Sequence, residues 1–338
     1  MSASSDSTSG GAGSGRELRI GFVGAGGNAR GHMSRLAEIE GVRITAVCDV
    51  DEGRAKEAAA EHGARAYTDH HPLLDGEELT ALYVSVPPFA HTDAEVLAAR
   101  KGVHVFVEKP VALSMDKGLE VLAAIEGAGV LSCVGYQLRY LDMTRRLSAY
   151  LRDKTVALIS SHRWGGLPGT PWWRVMDQSG GQLVEQTTHQ VDIMRMCCGE
   201  IASAYARYAT LAMGSVANLT IPDTQAVLFE FESGTLATLS TTPMCGQGGG
   251  RGDIVFLMEN QSVGWGTQAL TCNPAVPELE GEPKPTPNID QVFVDAIRAN
   301  DQSLIASSYR NGLRTLDATL AANESARTGK AVKTRMSG

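Results

Sequence analysis

The chain has 338 residues, of which 30 are lysine or arginine and 38 are aspartate or glutamate, giving a formal net charge of −8. This acidity excludes the non-specific attraction to nucleic acid and anionic membranes that a strongly basic chain shows. A chain of this length predicts two domains, each with its own core, and no apolar run reaches the roughly 18 to 20 residues that span a bilayer.

The first residues, 1–15, are mostly Ser, Gly, Ala and Thr. They lack both a basic and an apolar region, so they predict a disordered tail and no signal peptide. The six cysteines form no CxxC pair, which favours a reducing compartment and argues against structural zinc. We therefore expect a cytoplasmic protein with a small-molecule partner, without membrane or nucleic-acid partners, and the sequence predicts no metal site.

An apolar strand over residues 18–23 leads into a glycine-rich turn, Gly24-Ala25-Gly26-Gly27-Asn28-Ala29. In this GxGxxA pattern Gly24 allows the tight turn, Gly26 lets the backbone approach a pyrophosphate, and Ala29 keeps the next helix close to the strand. Phosphates would bind at the helix N-terminus, where unpaired N–H groups and the helix dipole favour anions. The turn residues predicted to bind the cofactor are Gly24, Gly26, Gly27, Asn28 and Ala29.

The second strand of this unit ends in an acidic residue, Asp49. Its carboxylate can accept hydrogen bonds from both hydroxyls of a ribose and would repel a 2′-phosphate. We therefore expect NAD as the cofactor, in preference to NADP. A purely structural turn between strand and helix is the alternative interpretation of the glycine-rich run.

Strands and helices alternate through residues 16–135, which predicts a parallel sheet covered by helices, that is, a Rossmann domain. Beyond it strands dominate, and Val227, Phe229 and Phe231 alternate with polar residues, as in a strand with one buried face. The expected fold class is α/β: an N-terminal Rossmann domain plus a C-terminal α/β domain over residues 136–330 with an open, mainly antiparallel sheet. The helices predicted in this second part cover residues 143–151, 182–197, 289–298 and 309–328.

Ligands of open α/β sheets bind beyond the carboxyl ends of the strands, so residues that follow a strand are candidates for the site. Pro87 follows the predicted strand 81–86 and stiffens a loop beside the expected cofactor path. His91, a few residues on, is a candidate for cofactor contact. Structural roles remain open for both, as a strand terminator and as a packing residue.

A lysine follows the next apolar strand, in the triplet Glu108-Lys109-Pro110. An ammonium at this position can donate to a substrate oxygen and favour its alkoxide-like form while hydride leaves the carbon. Pro110 disfavours helix at Lys109 and fixes the turn behind it. Local reasoning alone leaves a structural role for Lys109 open.

Two glycines, at 180 and 181, precede the predicted helix 182–197 and suggest close approach by a ligand or another backbone. On a continuous helix Glu185, His189 and Asp192 would project from one face. An imidazole between two acids can hold and tune a transferable proton near neutral pH. The alternatives are a solvated polar face and a buried histidine with satisfied hydrogen bonds.

Taken together, these features resemble the family of glucose-fructose oxidoreductase, inositol dehydrogenase and the rhizopine-catabolism protein MocA. The resemblance covers about residues 17–330, from the GxGxxA turn through Glu108-Lys109-Pro110 and the glycine-led helix to the final Ala321-Ala322-Asn323-Glu324-Ser325-Ala326 run. It implies a nicotinamide site between the two domains, closing helices that pack back towards the Rossmann domain, and a homodimer or homotetramer formed through the open sheet.

The resemblance also implies roles for individual residues. The family's catalytic lysine corresponds to Lys109 and its catalytic histidine to His189, and Glu108 accompanies Lys109 at the cofactor. The family commonly has aspartate four residues before the histidine, whereas this chain has Glu185. The implied catalytic set is therefore Lys109, His189 and Glu185.

The implied reaction is NAD-dependent oxidation of a secondary alcohol on a sugar, cyclitol or sugar derivative. Aromatic faces and arginines suit such a polyol. Aromatic residues that fill an interface between domains or subunits would give the same sequence pattern. Two other functions stay open: glycoside cleavage through transient oxidation, and a cofactor- or metabolite-responsive regulator. Candidate substrate contacts lie at 137–140, 162–164 and 171–174, where Arg139 and Trp172 are favoured. The residues predicted to bind the substrate are Arg139, Tyr140, Trp172, His189 and Asp192.

Overall fold

The computed structural model describes residues 17–266 and 268–337, so the predicted tail, residues 1–15, lies outside the described residues. Two sheets organise the chain. The elements of the first sheet and its helices are β1 (Leu18–Val23), α1 (Gly27–Ala37), β2 (Val42–Cys48), α2 (Glu52–His62), β3 (Arg65–Tyr67), α3 (His70–Gly76), β4 (Ala81–Val84), α4 (Ala94–Arg100), β5 (His104–Val107), α5 (Met115–Ala128) and β6 (Ser132–Val134).

The first sheet is parallel throughout, with strand order β3-β2-β1-β4-β5-β6. Its central strands are buried on both faces, as helices on both sides of a parallel sheet require; all four residues of β4 are buried. The strand order reverses between β1 and β4, and this switch point is where open α/β sheets bind their ligands. The predicted Rossmann fold is confirmed.

The elements of the second sheet and the remaining helices are α6 (Asp142–Leu151), β7 (Leu158–Trp164), α7 (Met176–Ser179), α8 (Gln182–Glu185), α9 (Thr188–Cys198), β8 (Ile201–Ala209), β9 (Thr224–Phe231), β10 (Leu236–Thr242), β11 (Arg251–Met258), β12 (Gln261–Gly266), β13 (Leu270–Asn273), α10 (Ile289–Ala299), α11 (Tyr309–Thr328) and β14 (Val332–Lys333). Among the described residues this sheet has eight strands, in the order β13-β12-β11-β7-β10-β9-β8-β14. It is mainly antiparallel, with one parallel pairing between β7 and β10. Val227, Phe229 and Phe231 are buried on one face of β9, as predicted.

The predicted continuous helix 182–197 is wrong, because α8 ends at Glu185 and α9 begins at Thr188. Thr187 is fully buried, and its hydroxyl lies 2.7 Å from that of Thr241 on β10. Its backbone N–H bonds to the carbonyl of Gln182, five residues back, instead of four. A side-chain hydrogen bond to the sheet thus accompanies a break in the helical hydrogen-bond pattern. The single polar face expected for Glu185, His189 and Asp192 does not form.

The last two helices both pack on the first sheet, and α11 also packs on the second. In α10, Ile289 and Phe293 join the core that surrounds β1. In α11, Leu313 joins a core on the first sheet while Ala318 and Ala322 join the core of the second sheet. In the part of the chain that the structure describes, no helix is both long and apolar enough to cross a membrane.

Candidate active site

The glycine-rich turn connects β1 to α1. Gly24 has φ +99°, and a Cβ there would lie 2.2 Å from the carbonyl oxygen of Ser85, so only glycine fits. Gly26 caps α1 without a side-chain hydrogen bond, and a Cβ on Gly26 or Gly27 would meet nothing within 4 Å. The helix N-terminus therefore faces open space in which a pyrophosphate fits, while Ala29 is fully buried beneath it.

Asp49 lies at the end of β2 beside this turn. One carboxylate oxygen accepts from the N–H of Ala25 at 2.9 Å, and the other accepts from the N–H of Asp51 at 2.9 Å and from Arg54 at 2.8 Å. Partial burial works to raise the pKa of Asp49, but the hydrogen bonds from Arg54 and the backbone outweigh it and lower the pKa. Asp49 is therefore an anion at the position expected to meet the ribose.

Replacing Asp49 by serine is expected to raise the ratio of kcat/KM with NADP to kcat/KM with NAD at least tenfold, which is about 1.4 kcal/mol. The substitution removes the charge that repels a 2′-phosphate and releases Arg54 from its 2.8 Å contact. Steady-state kinetics with both cofactors measures this ratio. The Asp49→Ser/Arg54→Ala double variant should lose most of the gain, and an unchanged ratio in the single variant would refute the role of Asp49.

A buried charge network lies under the same turn. His32 on α1 bonds through Nδ1 to Asp290 of α10 at 2.6 Å and through Nε2 to Glu108 at 2.9 Å. Burial works to lower the pKa of His32, but the two carboxylates outweigh it and raise the pKa to about 9. Glu108 also accepts from the N–H of Lys109 at 3.1 Å. The network thus joins α1, the helix after the glycine-rich turn, to Glu108, which directly precedes Lys109.

This network predicts a pH dependence of stability. Because the pKa of His32 rises from 6.5 to about 9 on folding, its contribution is complete below pH 6.5 and is lost as the pH rises through 9. The contribution is on the order of 2 to 3 kcal/mol. Denaturant unfolding at pH 6 and pH 9.5 should therefore show a smaller loss of unfolding free energy in His32→Asn than in the parent chain. Equal losses would contradict the assignment.

Lys109 follows β5 and reaches across to the segment after the paired glycines. Its Nζ donates to the carbonyl oxygen of Glu185 at 3.0 Å and to its Oε1 at 2.9 Å. The other carboxylate oxygen of Glu185 accepts from the indole N–H of Trp173 at 2.5 Å. Both ends of the Lys109–Glu185 pair are only 12% exposed. The lysine after β5 and the acid at the end of α8 therefore form one largely buried ion pair.

His189 is the second residue of α9, which begins after the helix break that follows Glu185. Its ring meets that of Tyr136 edge to face, with centroids 5.8 Å apart, and its Nδ1 has no hydrogen-bond partner among the described residues. Burial, with the positive charges of Lys109 and Arg163, lowers the pKa of His189 to about 3. The imidazole is therefore neutral at pH 7 and carries an unpaired ring nitrogen.

One cleft of about 450 Å³ connects the dinucleotide turn to the lysine. Its lining includes the turn residues Gly27 and Asn28 and the pair Glu108 and Lys109. The buried ring of Tyr140 also lines it. The geometry therefore brings residues predicted for the cofactor and for catalysis to the same space.

Two predicted substrate residues are instead bound to each other. Arg139 donates to both carboxylate oxygens of Asp192, at 2.6 and 2.8 Å, and both residues are at most 4% exposed. Thr315 of α11 adds a third bond to Asp192 at 2.9 Å. A buried charge requires such pairing, so we replace the predicted substrate contacts of Arg139 and Asp192 with a structural role.

Three other predicted residues have different surroundings. The Tyr140 hydroxyl bonds to Ser307 at 3.0 Å inside the core, which leaves only its ring at the cleft. His91 bonds through Nδ1 to the buried Glu95 at 2.5 Å, so packing describes it better than cofactor contact. Pro87 is half-buried just before a short 3-10 turn over Pro88–Ala90. Cofactor contact by Pro87 stays a prediction.

The 3-10 turn Pro171–Arg174 supplies two tryptophans to the region between the domains. Trp173 points inward to Glu185. Trp172 is half-buried and meets Phe89 of the first domain, with ring centroids 6.3 Å apart. Substrate contact by Trp172 stays a prediction. The adjacent Trp173 is the tryptophan that bonds to Glu185 and orients its carboxylate.

Arg163 lies at the end of β7, in the stretch 162–164 that the sequence offers among the candidate substrate contacts, although the sequence favours Arg139 and Trp172. It is half-buried, its charge acts on Glu185 and His189, and its guanidinium makes no hydrogen bond to another described residue. Burial lowers the pKa of Arg163, although an arginine stays charged.

The fold and the site define a dinucleotide-dependent oxidoreductase. The family model described as "Oxidoreductase family, NAD-binding Rossmann fold" matches residues 18–136, and the model described as "GFO/IDH/MocA C-terminal domain" matches residues 154–258. Together they cover more than half of the chain. The chain belongs to the Gfo/Idh/MocA oxidoreductase family, which confirms the resemblance, the fold class, an enzymatic function and NAD as the cofactor.

Among curated relatives, inositol 2-dehydrogenase 2 of Saccharopolyspora erythraea is 32% identical over 248 residues, which cover 70% of each chain. Myo-inositol 2-dehydrogenase of Thermotoga maritima is 26% identical over 231 residues, covering 67% of this chain and 68% of that protein. Among solved structures, the WlbA dehydrogenase of Bordetella pertussis in complex with NADH and UDP-GlcNAcA superposes with a TM-score of 0.81 at 22% identity, over 95% of this chain and all of that one.

Proposed function

We propose that this enzyme oxidises a secondary alcohol of a sugar, cyclitol or sugar derivative, with NAD as the hydride acceptor. The observation that carries the proposal is the arrangement of Lys109, Glu185 and His189. Lys109 lines the cleft together with the dinucleotide turn, it pairs with Glu185, and its charge acts on His189. Bound NAD supplies the hydride chemistry, and the protein supplies orientation and proton transfer.

Lys109 is the group that stabilises charge on the substrate oxygen. Its ammonium has three donors, and two of them are used by the carbonyl and carboxylate of Glu185. The third is available for the oxygen of the reacting alcohol. Glu185, held by Trp173, fixes the direction of this donor, so we assign Glu185 the role of holding Lys109.

His189 accepts the proton of the reacting hydroxyl group. Its neutral ring allows it to do so at neutral pH. The nearby positive charges of Lys109 and Arg163 disfavour a lasting imidazolium, so the proton leaves His189 for solvent after transfer. The reaction thus needs His189 only as a transient acceptor.

The substrate class is supported by the relatives and by the polar groups of the site. Two relatives are named inositol dehydrogenases. Arg163 offers donors that no described residue uses, and hydroxyl or carboxylate oxygens of a sugar are suitable acceptors for a guanidinium. The rings of Trp172 and Phe89 offer apolar faces nearby.

The proposal is tested by mixing the protein and NAD with a panel of sugars, uronic acids, cyclitols and glycosides. NADH absorbance and product release are followed together. NADH formation with at least one free secondary alcohol is the expected result. Glycoside cleavage without net NADH formation would indicate transient oxidation in place of the proposed reaction. If no compound of the panel gave NADH or a cleavage product, the substrate class would be rejected.

We also propose that the open face of the second sheet joins copies of the chain into a homodimer or homotetramer. Leu158, Leu228 and Leu236 lie on neighbouring strands of this sheet and are 39%, 40% and 43% exposed. Apolar patches of this kind on soluble proteins mark interaction surfaces. Light scattering after size-exclusion chromatography should give two or four chain masses, and a monomer at micromolar concentration would reject the proposal.

A further inference from the structure

Tyr136 contacts the start of α9 in two ways. Its hydroxyl group lies 2.8 Å from Oγ1 of Thr188, the first residue of that helix. Its ring meets the ring of His189 edge to face, at an interplanar angle of 88°. Tyr136 and Thr188 are each only 1% exposed, so water does not compete for the bond between their hydroxyl groups. One buried side chain therefore contacts both His189 and the residue before it.

The first sheet places Tyr136 on the strand next to that of Lys109. β5 and β6 are adjacent parallel strands whose last residues, Val107 and Val134, are paired. Lys109 and Tyr136 each follow this pair by two residues. Both therefore leave the sheet at the carboxyl ends of its strands, where open α/β sheets bind their ligands. A contact between Tyr136 and His189 thus sets the imidazole relative to the sheet edge that carries the lysine.

The backbone at the start of α9 is held by hydroxyl contacts. No described side chain caps this helix by accepting a hydrogen bond from its first N–H groups. The hydroxyl of Thr187 lies 2.7 Å from that of Thr241 on the second sheet, and the hydroxyl of Thr188 lies 2.8 Å from that of Tyr136. Burial raises the pKa of Tyr136, so its hydroxyl group stays protonated. Since His189 is the next residue, these contacts fix the backbone from which its imidazole projects.

The orientation of the His189 ring depends on packing. A catalytic histidine commonly bonds through its second ring nitrogen to a carboxylate or a backbone carbonyl, which orients the imidazole. Nδ1 of His189 is buried and has no such partner in the described part of the chain. The edge-to-face contact with Tyr136, with ring centroids 5.8 Å apart, takes the place of that hydrogen bond.

We propose that Tyr136 is a positioning residue for His189. Its ring fixes the plane of the imidazole, and its hydroxyl group, through Thr188, fixes the start of α9. Precise placement matters because a displacement of about 1 Å between reacting groups can lower a rate about a hundredfold. The inference rests on the proposed role of His189 as proton acceptor, and Tyr136 acts only through that residue.

The test compares single variants in the parent chain and in the His189→Asn background. Tyr136→Phe keeps the ring and removes the hydroxyl group, and Thr188→Val removes the other half of the bond with little change of shape. Each should lower kcat about fivefold, and the two together should cost no more than either alone, because both remove the same bond. Tyr136→Leu also removes the ring contact and should lower kcat about thirtyfold. In the His189→Asn background each change should alter kcat by less than about twofold.

Steady-state kinetics are measured with NAD and a panel compound that gives NADH. The KM for NAD should stay within about twofold of the parent value, because the lost contacts orient the base and do not bind the cofactor. Tyr150→Phe is the matched control, since it removes a hydroxyl group that donates to Gln261 at 2.6 Å in the second part of the chain. This control should keep the parent kcat.

The outcomes separate the positioning role from the proposed function. A parent-like kcat in all three single variants, with a large loss in His189→Asn, would overturn the positioning role and leave the proposed function standing. Equal losses with and without His189 would also overturn it, because they would show a general effect on the fold. An unchanged kcat in His189→Asn would reject both proposals.

A crystal structure of Tyr136→Leu gives a second readout that needs no substrate. The imidazole of His189 should be rotated from its orientation in the parent chain, because the ring that it packs against is gone. The parent orientation in this variant would overturn the positioning role.

Discussion

Replacement of Lys109 by methionine is expected to lower kcat about a thousandfold, within the range of 10² to 10⁴ that positioned acid–base groups contribute. Methionine keeps the length and apolar contacts of the side chain and removes the ammonium that lies 2.9 Å from Glu185 Oε1. The substrate oxygen then loses the donor that stabilises its developing charge. Steady-state kinetics on a substrate from the panel, together with NADH binding by fluorescence, measures the effect.

The matched control is Lys101→Met, which removes a surface ammonium paired with Asp75 in the same domain. It should leave kcat within about twofold of the parent value, since exposed ion pairs contribute little. NADH affinity should change less than tenfold in Lys109→Met. An unchanged kcat in Lys109→Met would refute the catalytic assignment, and a lost kcat with lost NADH binding would assign Lys109 to the cofactor alone.

Replacement of His189 by asparagine is expected to lower kcat about a hundredfold, because the hydroxyl group then has no positioned proton acceptor. A second result distinguishes this role from packing. The pKa of His189 lies at about 3, lowered by burial and by the charges of Lys109 and Arg163. A base with a lowered pKa stays deprotonated as the pH falls, so kcat/KM in the parent enzyme should show no acidic limb near pH 6.5.

The pH profile of kcat/KM from pH 5 to 8 measures this directly, since it reports the pKa values of the free enzyme. His62→Asn, a partly exposed histidine at the end of α2, is the control and should match the parent. An acidic limb near pH 6.5 that disappears in His189→Asn would show that His189 titrates normally, which would contradict the environment described above.

Local signals were sufficient for much of the fold. The helix predicted over residues 309–328 has the same bounds in the structure. Ser308 caps its start by accepting from the N–H of Asn311, and Gly329 ends it with φ +71°. Both caps are encoded within a few residues of the helix ends. The dinucleotide turn is equally local, since Gly24 and its strand are adjacent in sequence.

Long-range contacts explain what the sequence pattern could not show. The helix break at 186–187 accompanies a hydroxyl contact between Thr187 and Thr241, which lie 54 residues apart. The pairing of Arg139 with Asp192 spans 53 residues. A pattern of residue types predicts that a buried charge needs a partner, but it does not say which partner the fold provides.

The candidate site likewise combines features that local sequence predicts with contacts that only the fold creates. Lys109 was predicted from its position after a strand and from the family resemblance, whereas its hydrogen bonds to Glu185, 76 residues away, are a product of the fold. The bond from Trp173 to Glu185 and the action of the Arg163 charge on His189 are also products of the fold. Neither Trp173 nor Arg163 has a spacing relative to His189 that a linear motif would reveal.

The central claim is that hydrogen leaves the carbinol carbon of a polyol and reaches NAD beside Lys109 and His189. The most direct measurement uses a panel substrate carrying deuterium at that carbon and mass spectrometry of the NADH formed. The structure predicts one deuterium per NADH, with the rate lowered about a thousandfold in Lys109→Met. NADH without deuterium, or an undiminished rate in Lys109→Met, would contradict the claim.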